Sequence, residues 1–112
     1  MADPAHRPGL VPGYNVPAAI GMSIDEVFTP ALIVDLDAFE RNVRTMAAFV
    51  REAGVRLRAH AKTHKSADIA RYQIAQGGAC GSCWQKTSEA EALVEAGITD
   101  ILVAHEVTGP QT

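Results

Sequence analysis

The stretch Arg56–Lys65, with the sequence RLRAHAKTHK, decides the fold of this chain of 112 residues. Side chains alternate between the two faces of a strand, so Leu57, Ala59 and Ala61 form an apolar face that suits packing under helices. The opposite face carries four polar or charged side chains, namely Arg56, Arg58, His60 and Lys62. Because buried polar groups are unfavourable unless they are used, this row predicts a strand whose polar face lines a functional interior.

Strand and helix signals alternate on both sides of this stretch. Short apolar runs predict strands at residues 31–34, 55–62, 79–84 and 100–104. Between them, polar capping residues predict three helices that begin near Asp37, Ser66 and Ser88 and end at glycines. The order β-α-β-α-β-α-β with short connections is typical of an α/β protein with a parallel sheet and right-handed crossovers.

The length of the chain limits how much of such a fold it holds. A parallel sheet must be covered on both faces or closed into a barrel, and a (β/α)8 barrel needs about 250 residues. We therefore predict the N-terminal half of such a barrel at residues 27–112, truncated after its fourth strand. Prolines and glycines punctuate residues 1–26, which predicts an irregular N-terminal arm.

The composition argues against several classes of partner. The chain is 47% hydrophobic and 21% charged, with a net charge of −3, which indicates no nucleic-acid surface. No apolar run reaches the ~18 residues that a membrane helix needs, and the N-terminus lacks the pattern of a secretory signal. We therefore expect a cytoplasmic protein whose partner is neither a nucleic acid nor a membrane.

Lys62 is the strongest candidate for a catalytic residue. It falls at the C-terminal end of the second predicted strand, where the active sites of barrel enzymes are built. Neighbouring cations at Arg58 and His60 would favour the neutral, nucleophilic form of its amine. The alternative is that Lys62, His64 and Lys65 belong to a solvated loop after an edge strand.

Metal ligation by histidine or cysteine is not expected. On a strand, His60 and His64 would lie about 13 Å apart, too far to share an ion. Cys80 and Cys83 have the C-x-x-C spacing of a redox pair or half a zinc site, but no second pair completes a zinc cage. We interpret the cysteines as small buried residues and predict no metal ligands in this chain.

Several separated motifs resemble those of one enzyme family. Residues 58–66, RAHAKTHKS, are similar to the R-P-H-x-K-x-H-K signature of the D-threonine aldolase and D-serine dehydratase family. Residues 29–37, TPALIVDLD, resemble its opening T-P-x-L-x-x-D-x-D strand, and residues 85–91, QKTSEAE, resemble its Q-K-x-S-E-A-E segment. The leader at residues 13–22 looks most like the 3-hydroxy-D-aspartate aldolase branch. These are fold-type III pyridoxal phosphate (PLP) enzymes with an alanine racemase-like N-terminal barrel.

The resemblance implies roles for four residues. Lys62 would be catalytic, as the lysine that forms the Schiff base with PLP and is then available for proton transfer. Arg58 and His60 would shape the surroundings of the cofactor, and Gln85 would contact it from the third strand. Lys62, His60, Arg58 and Gln85 are thus the expected cofactor-binding residues.

The resemblance also implies an activity, and it leaves alternatives open. The expected reaction is cleavage of D-3-hydroxy amino acids, of the 3-hydroxy-D-aspartate or D-threonine type, to glycine plus an aldehyde or glyoxylate. Dehydration of D-serine or 3-hydroxyaspartate on the same scaffold and a non-enzymatic PLP-carrier role are the alternatives. The family further implies a divalent metal ion of the Mg or Mn type, with ligands outside this chain, and a homodimer at full length.

The chain differs from the pattern of the family at two positions and in its length. Ala59 replaces a common proline, which is structurally harmless on a strand. Trp84 stands where a small residue is usual, so its indole would either narrow the pocket or rearrange the local packing. Because the phosphate-binding cup would lie beyond Thr112, we expect a fragment or a truncated reading frame that is inactive alone.

Overall fold

The computed structural model describes residues 9–109 of the chain. The chain divides into two compact units, one ending at Val34 and one beginning at Asp35. The predicted limits of an N-terminal arm at 1–26 and a barrel domain at 27–112 stay predictions, since both extend into residues outside the described range.

The first unit contains turns and one short helical segment. Residues Ile24–Glu26 form a single 3-10 turn, and the Glu26 carboxylate accepts hydrogen bonds from the backbone N–H and the hydroxyl of Ser23, both at 2.8 Å. A second turn is closed by Asn15, whose Oδ1 accepts from the Val11 N–H at 2.6 Å. These local hydrogen bonds hold an irregular backbone.

The first predicted strand, at residues 31–34, is wrong. This segment forms no strand in the structure, and Leu32 and Ile33 are more than half exposed. An extended segment becomes a strand only where a neighbouring strand pairs with its N–H and C=O groups. Within residues 9–34 the structure contains no strand, so the apolar run has no partner in its own unit.

The second unit alternates three helices with three strands. In chain order these are α1 (Leu36–Glu52), β1 (Arg58–His60), α2 (Ala67–Ala75), β2 (Gly81–Trp84), α3 (Thr87–Glu95) and β3 (Ile101–Val103). Strands β1 and β3 both pair with β2 in parallel, and the order in the sheet is β1-β2-β3. The parallel α/β architecture predicted from the sequence is therefore confirmed, and it is consistent with part of an α/β barrel.

Short polar side chains begin two of the helices. The Asp35 carboxylate caps α1 by accepting from the Ala38 N–H at 2.8 Å, two residues before the predicted start at Asp37. Ser66 caps α2 as predicted, and its hydroxyl accepts from the Ile69 N–H at 3.3 Å. Within residues 9–109 no helix is long and apolar enough to cross a membrane.

Other element limits differ from the prediction by a few residues. Helix α3 begins at Thr87, and Lys86 before it provides no side-chain cap, so the predicted capping box at Ser88 is wrong. Strand β1 covers only Arg58–His60 of the predicted residues 55–62, because the chain turns immediately afterwards. The end of that predicted strand is therefore a turn.

The core of the second unit lies between the sheet and helices α2 and α3. Half of its buried side chains are alanines and half are large, and together they are Ala61, Ala70, Trp84, Ala90, Leu93 and Ile98. Removal of this apolar surface from water is the main favourable contribution to packing the two helices on the sheet. The opposite face of the sheet carries polar side chains only on β1, since His60 there is followed across the sheet by Cys83 of β2 and Leu102 of β3.

Candidate active site at the carboxyl edge of the sheet

Lys62 lies at the carboxyl edge of the parallel sheet, in the turn that follows β1. The Ala61 N–H still donates to the Cys83 carbonyl at 2.9 Å, so strand pairing continues to the residue before Lys62. Lys62 is exposed, and none of the ion pairs within residues 9–109 includes its amine. The amine is thus accessible at the edge where parallel α/β barrels bind their substrates.

The two faces of the sheet carry different side chains at β1. Ala61 is fully buried in the core beneath the helices, and Trp84 of β2 belongs to the same core. Because neighbouring residues of a strand alternate between faces, His60 faces away from that core. His60 is opposite Cys83 in the pairing register, so this second face continues into β2.

Side chains of the turn hold its backbone. His60 Nδ1 accepts a hydrogen bond from the Lys62 N–H at 3.3 Å, and His64 Nδ1 accepts one from the Ser66 N–H at 3.1 Å. Lys65 has a φ of 50°, in the left-handed region that residues other than glycine rarely adopt. The turn that carries Lys62 therefore has a defined and partly strained backbone.

An ion pair ties this turn to the first turn of α3. Lys65 Nζ lies 3.0 Å from Glu89 Oε1, and the Glu89 side chain is only 19% exposed. The hydrogen bond from Lys65 holds the pKa of Glu89 below its usual range, and burial lowers the pKa of His64. Glu89 Oε2 and His64 Nε2 are buried without a hydrogen-bond partner among the described residues.

Arg58 lies at the opposite edge of the sheet from Lys62. Its Nη1 donates to Asp100 Oδ1 at 2.7 Å and to the Asp100 carbonyl at 3.1 Å. A Cβ at Gly81 would collide with the guanidinium, so glycine allows the side chain to cross β2. The shared hydrogen bond lowers the pKa of Asp100 and raises that of Arg58. The structure therefore pairs Arg58 with Asp100 and does not bring it to Lys62.

Gln85 lines a cavity at the carboxyl ends of β2 and β3. The cavity has a volume of about 470 Å³, and its other lining residues are Lys86, Thr87, His105, Glu106, Val107, Thr108 and Gly109. Lys62 is not one of the residues that line it. The structure thus brings Gln85 to the same edge of the sheet as Lys62, but not into one cavity with it.

Several polar residues of this edge are not among the site residues predicted from the sequence. Lys86 closely follows β2, and His105 and Glu106 follow β3. The rule that barrel sites form at the carboxyl ends of strands could have found these three. Glu89 is different, because only the folded chain shows that it pairs with Lys65.

Trp84 belongs to the core and not to this cavity. Its side chain is almost fully buried, and Nε1 donates to Ser82 Oγ at 3.0 Å. It shares a buried cluster with Ala70 of α2 and Leu93 of α3. The indole therefore packs in the core and does not line the cavity that contains Gln85.

The cysteines are unpaired, and no metal cluster is found in the part of the chain that the structure describes. Cys80 and Cys83 are both free, and Cys83 is buried in β2. Within residues 9–109, no three His, Cys, Asp or Glu side chains come together as they would around a metal ion.

Known proteins share this sequence over most of its length. The alanine racemase N-terminal domain matches residues 34–112. A 3-hydroxy-D-aspartate aldolase from Paracoccus denitrificans (strain Pd 1222) is 49% identical over 102 residues, which are 91% of this chain and 26% of the aldolase. A D-threo-3-hydroxyaspartate dehydratase from Delftia sp. (strain HT23) is 46% identical over 76 residues, which are 68% of this chain and 20% of the dehydratase.

A solved structure shares the fold as well. The crystal structure of D-threonine aldolase from Filomicrobium marinum superposes with a TM-score of 0.78 and 54% sequence identity. The match covers 84% of this chain and 25% of that protein, so the chain spans about a quarter of the length of these aldolases. Because the matching domain covers well over half of the residues, the chain belongs to the family of the alanine racemase N-terminal domain.

Proposed function

We propose that the chain is the N-terminal part of a PLP-dependent aldolase that cleaves D-3-hydroxy amino acids to glycine plus an aldehyde or glyoxylate. Similarity to two aldolases, each covering more than four fifths of the chain, supports this reaction. The observation that carries the proposal is an exposed lysine, Lys62, at the carboxyl edge of a parallel sheet and outside every ion pair of residues 9–109.

The residues at this edge fit PLP. A carbonyl cofactor needs a primary amine that is accessible and is not held in an ion pair. Lys65 is paired with Glu89, whereas Lys62 has no such partner among the described residues. When bound, PLP supplies an electron sink for the electron pair that cleavage of the Cα–Cβ bond releases.

Each candidate residue has a different proposed task. Lys62 would hold the cofactor through Nζ, and the same amine would accept or return a proton during the reaction. His60 shapes the surroundings of the cofactor beside the turn, and Gln85 contacts it from the end of β2. Arg58 supports the site through the sheet, since its guanidinium is engaged by Asp100.

A hybrid enzyme tests this function. In the hybrid, this chain replaces the matched quarter of the D-threonine aldolase from Filomicrobium marinum. We expect the hybrid, supplied with PLP, to release glycine from D-threonine or 3-hydroxy-D-aspartate.

Lys62→Ala should lower the rate of glycine release by the hybrid by roughly 10³-fold or more, as expected when a covalent catalytic residue is lost. Arg51→Ala, at the exposed end of α1, is the control that should keep the rate. Glycine release that survives Lys62→Ala would contradict the proposal.

Dehydration is the second candidate, because a dehydratase is also among the relatives. The products of the full-length protein distinguish the two reactions. An aldolase forms glycine without ammonia, whereas a dehydratase forms ammonia and an oxo acid. A PLP carrier would bind the cofactor and form neither product.

We further propose four properties of the full-length protein. A divalent metal ion of the Mg or Mn type would be held by residues outside this chain and would orient the β-hydroxyl of the substrate. The protein would be a homodimer in the cytoplasm. Its partner would be a small-molecule D-3-hydroxy amino acid.

A further inference from the structure

We propose that His60 and His64 are positioning residues that hold Lys62 for its reaction, each by accepting a backbone hydrogen bond at Nδ1. His60 is the last residue of β1, and His64 belongs to the same turn as Lys62. This inference rests on the proposed function, because it assumes that Lys62 is the residue to be positioned.

The two hydrogen bonds hold the turn at both ends. The N–H of Lys62 itself donates to His60 Nδ1 at 3.3 Å, which restrains the backbone of Lys62 directly. The N–H of Ser66, the N-cap of α2, donates to His64 Nδ1 at 3.1 Å. The His60 ring therefore restrains the start of the turn, and the His64 ring restrains its end.

Both contacts require neutral imidazoles of the same tautomer. A ring nitrogen that accepts a hydrogen bond carries no hydrogen, so the hydrogen of each neutral ring is on Nε2. In His60 and His64 the backbone therefore occupies Nδ1, and that atom is not free to transfer protons. This geometry suits a positioning role.

Backbone strain explains why the turn needs these contacts. Lys65 adopts a left-handed conformation, which is unfavourable for a residue with a Cβ. The turn is also held by the Lys65 N–H, which donates to the Ala61 carbonyl at 2.9 Å, and by the ion pair with Glu89. Loss of a histidine contact would let the turn relax, so the Lys62 amine would spend less time in a reactive position.

Amide hydrogen exchange in the 112-residue chain, followed by NMR, tests the two contacts separately. His60→Leu should speed exchange of the Lys62 amide, and His64→Leu that of the Ser66 amide, each by about threefold to tenfold, because one hydrogen bond is lost. His60→Asn and His64→Asn keep an acceptor near the position of Nδ1, so exchange should stay within about twofold of the original rate. The Ala61 amide, which takes part in strand pairing, reports whether the fold is intact.

The asparagine variants make the result decisive. Equal exchange in the leucine and asparagine variants, with the Ala61 amide still protected, would overturn the inference. If a leucine variant does not fold, glutamine replaces leucine in the comparison, because its amide lies near the position of Nε2 and not of Nδ1. Equal exchange in the glutamine and asparagine variants would then overturn it.

Covalent labelling of the hybrid enzyme tests whether the histidine contacts affect the reactivity of the Lys62 amine. Borohydride reduction fixes bound PLP to a lysine, and peptide mass mapping gives the share of the label on Lys62. His64→Leu should lower this share by about threefold to tenfold, and His64→Asn should retain it. An unchanged share in a folded leucine variant would overturn the positioning role. If Lys62 carries no label with both histidines intact, the proposed function fails, while the exchange rates still decide whether the histidines hold the turn.

Discussion

At the scale of single residues, Trp84 and His64 show how side chains around the proposed site contribute to stability. Trp84 fills the space between the sheet and two helices, and its Nε1 finds a hydrogen-bond partner in Ser82. His64 is half-buried, and its Nδ1 accepts a backbone hydrogen bond only while the ring is neutral. The first residue contributes through packing, and the second through its protonation state.

Trp84→Ala should lower the free energy of unfolding by about 3–5 kcal/mol, because it removes a large buried ring and leaves a cavity. Trp84→Phe keeps most of the apolar surface and loses the hydrogen bond to Ser82, so its effect should be much smaller. Urea unfolding followed by circular dichroism measures both. A loss below about 1 kcal/mol for Trp84→Ala would mean that the indole is not packed in the core.

His64 should make stability depend on pH. Burial lowers its pKa from the ordinary value of 6.5, so the unfolded chain binds a proton more readily than the folded one. The contribution of His64 is therefore present above about pH 6.5 and is lost as the pH falls from there towards the folded pKa. Urea midpoints at about pH 7.5 and 5.5 measure the effect. His64→Asn should remove this part of the pH dependence, and an unchanged pH dependence in that variant would refute the assignment.

At the scale of elements, the sheet is joined across its amino edge by one side chain. Arg58 reaches from β1 across Gly81 to Asp100, the residue before β3. Its two hydrogen bonds to Asp100 restrain the relative positions of the two outer strands. Lys62, at the carboxyl edge, therefore extends from a strand that is fixed at its other end.

Gly81→Ala should destabilise the sheet by about 1–3 kcal/mol, because the added methyl group occupies the path of the Arg58 side chain. Removing that side chain in a double variant, Gly81→Ala with Arg58→Ala, should recover part of the loss. Thermal unfolding of the single and double variants measures the coupling between the two positions. If the stability losses of the two single variants simply added in the double variant, the side chains at positions 58 and 81 would not be in contact.

Side-chain alternation and apolar runs predict much of the element order, but not the partners of each strand. The runs around Cys83 and Leu102 form strands because β2 lies between two neighbours. The equally apolar residues 31–34 form none, since pairing depends on a partner strand that the run itself does not reveal. In the same way, the sequence places Arg58 close to Lys62, whereas in the structure the Arg58 guanidinium forms an ion pair with Asp100.

At the scale of the whole molecule, the chain provides a lysine and part of a barrel wall. It spans about a quarter of the length of its aldolase relatives, and within residues 9–109 strands β1 and β3 are the edges of the sheet. The motif around Lys62 predicts a candidate reactive amine, but the remaining groups of such a site come from many strands. A local motif can therefore propose an amine, whereas the groups around it depend on strands that the motif does not contain.

The 112-residue chain alone should have no aldolase activity, because residues from several strands must enclose the substrate. A coupled assay for glycine, with D-threonine and 3-hydroxy-D-aspartate as substrates and PLP added, measures this. The hybrid enzyme is the positive control. Sustained turnover by the purified chain would contradict the expectation.

The central claim is that Lys62 is the lysine that binds PLP, and covalent labelling of the hybrid enzyme tests it most directly. After incubation with PLP, borohydride reduction and digestion, we predict that the peptide containing Lys62 carries most of the label. The label should disappear from this peptide in Lys62→Ala, while circular dichroism shows an unchanged fold. Label on Lys65, on Lys86 or on a lysine from the other part of the hybrid, with Lys62 unmodified, would contradict the claim.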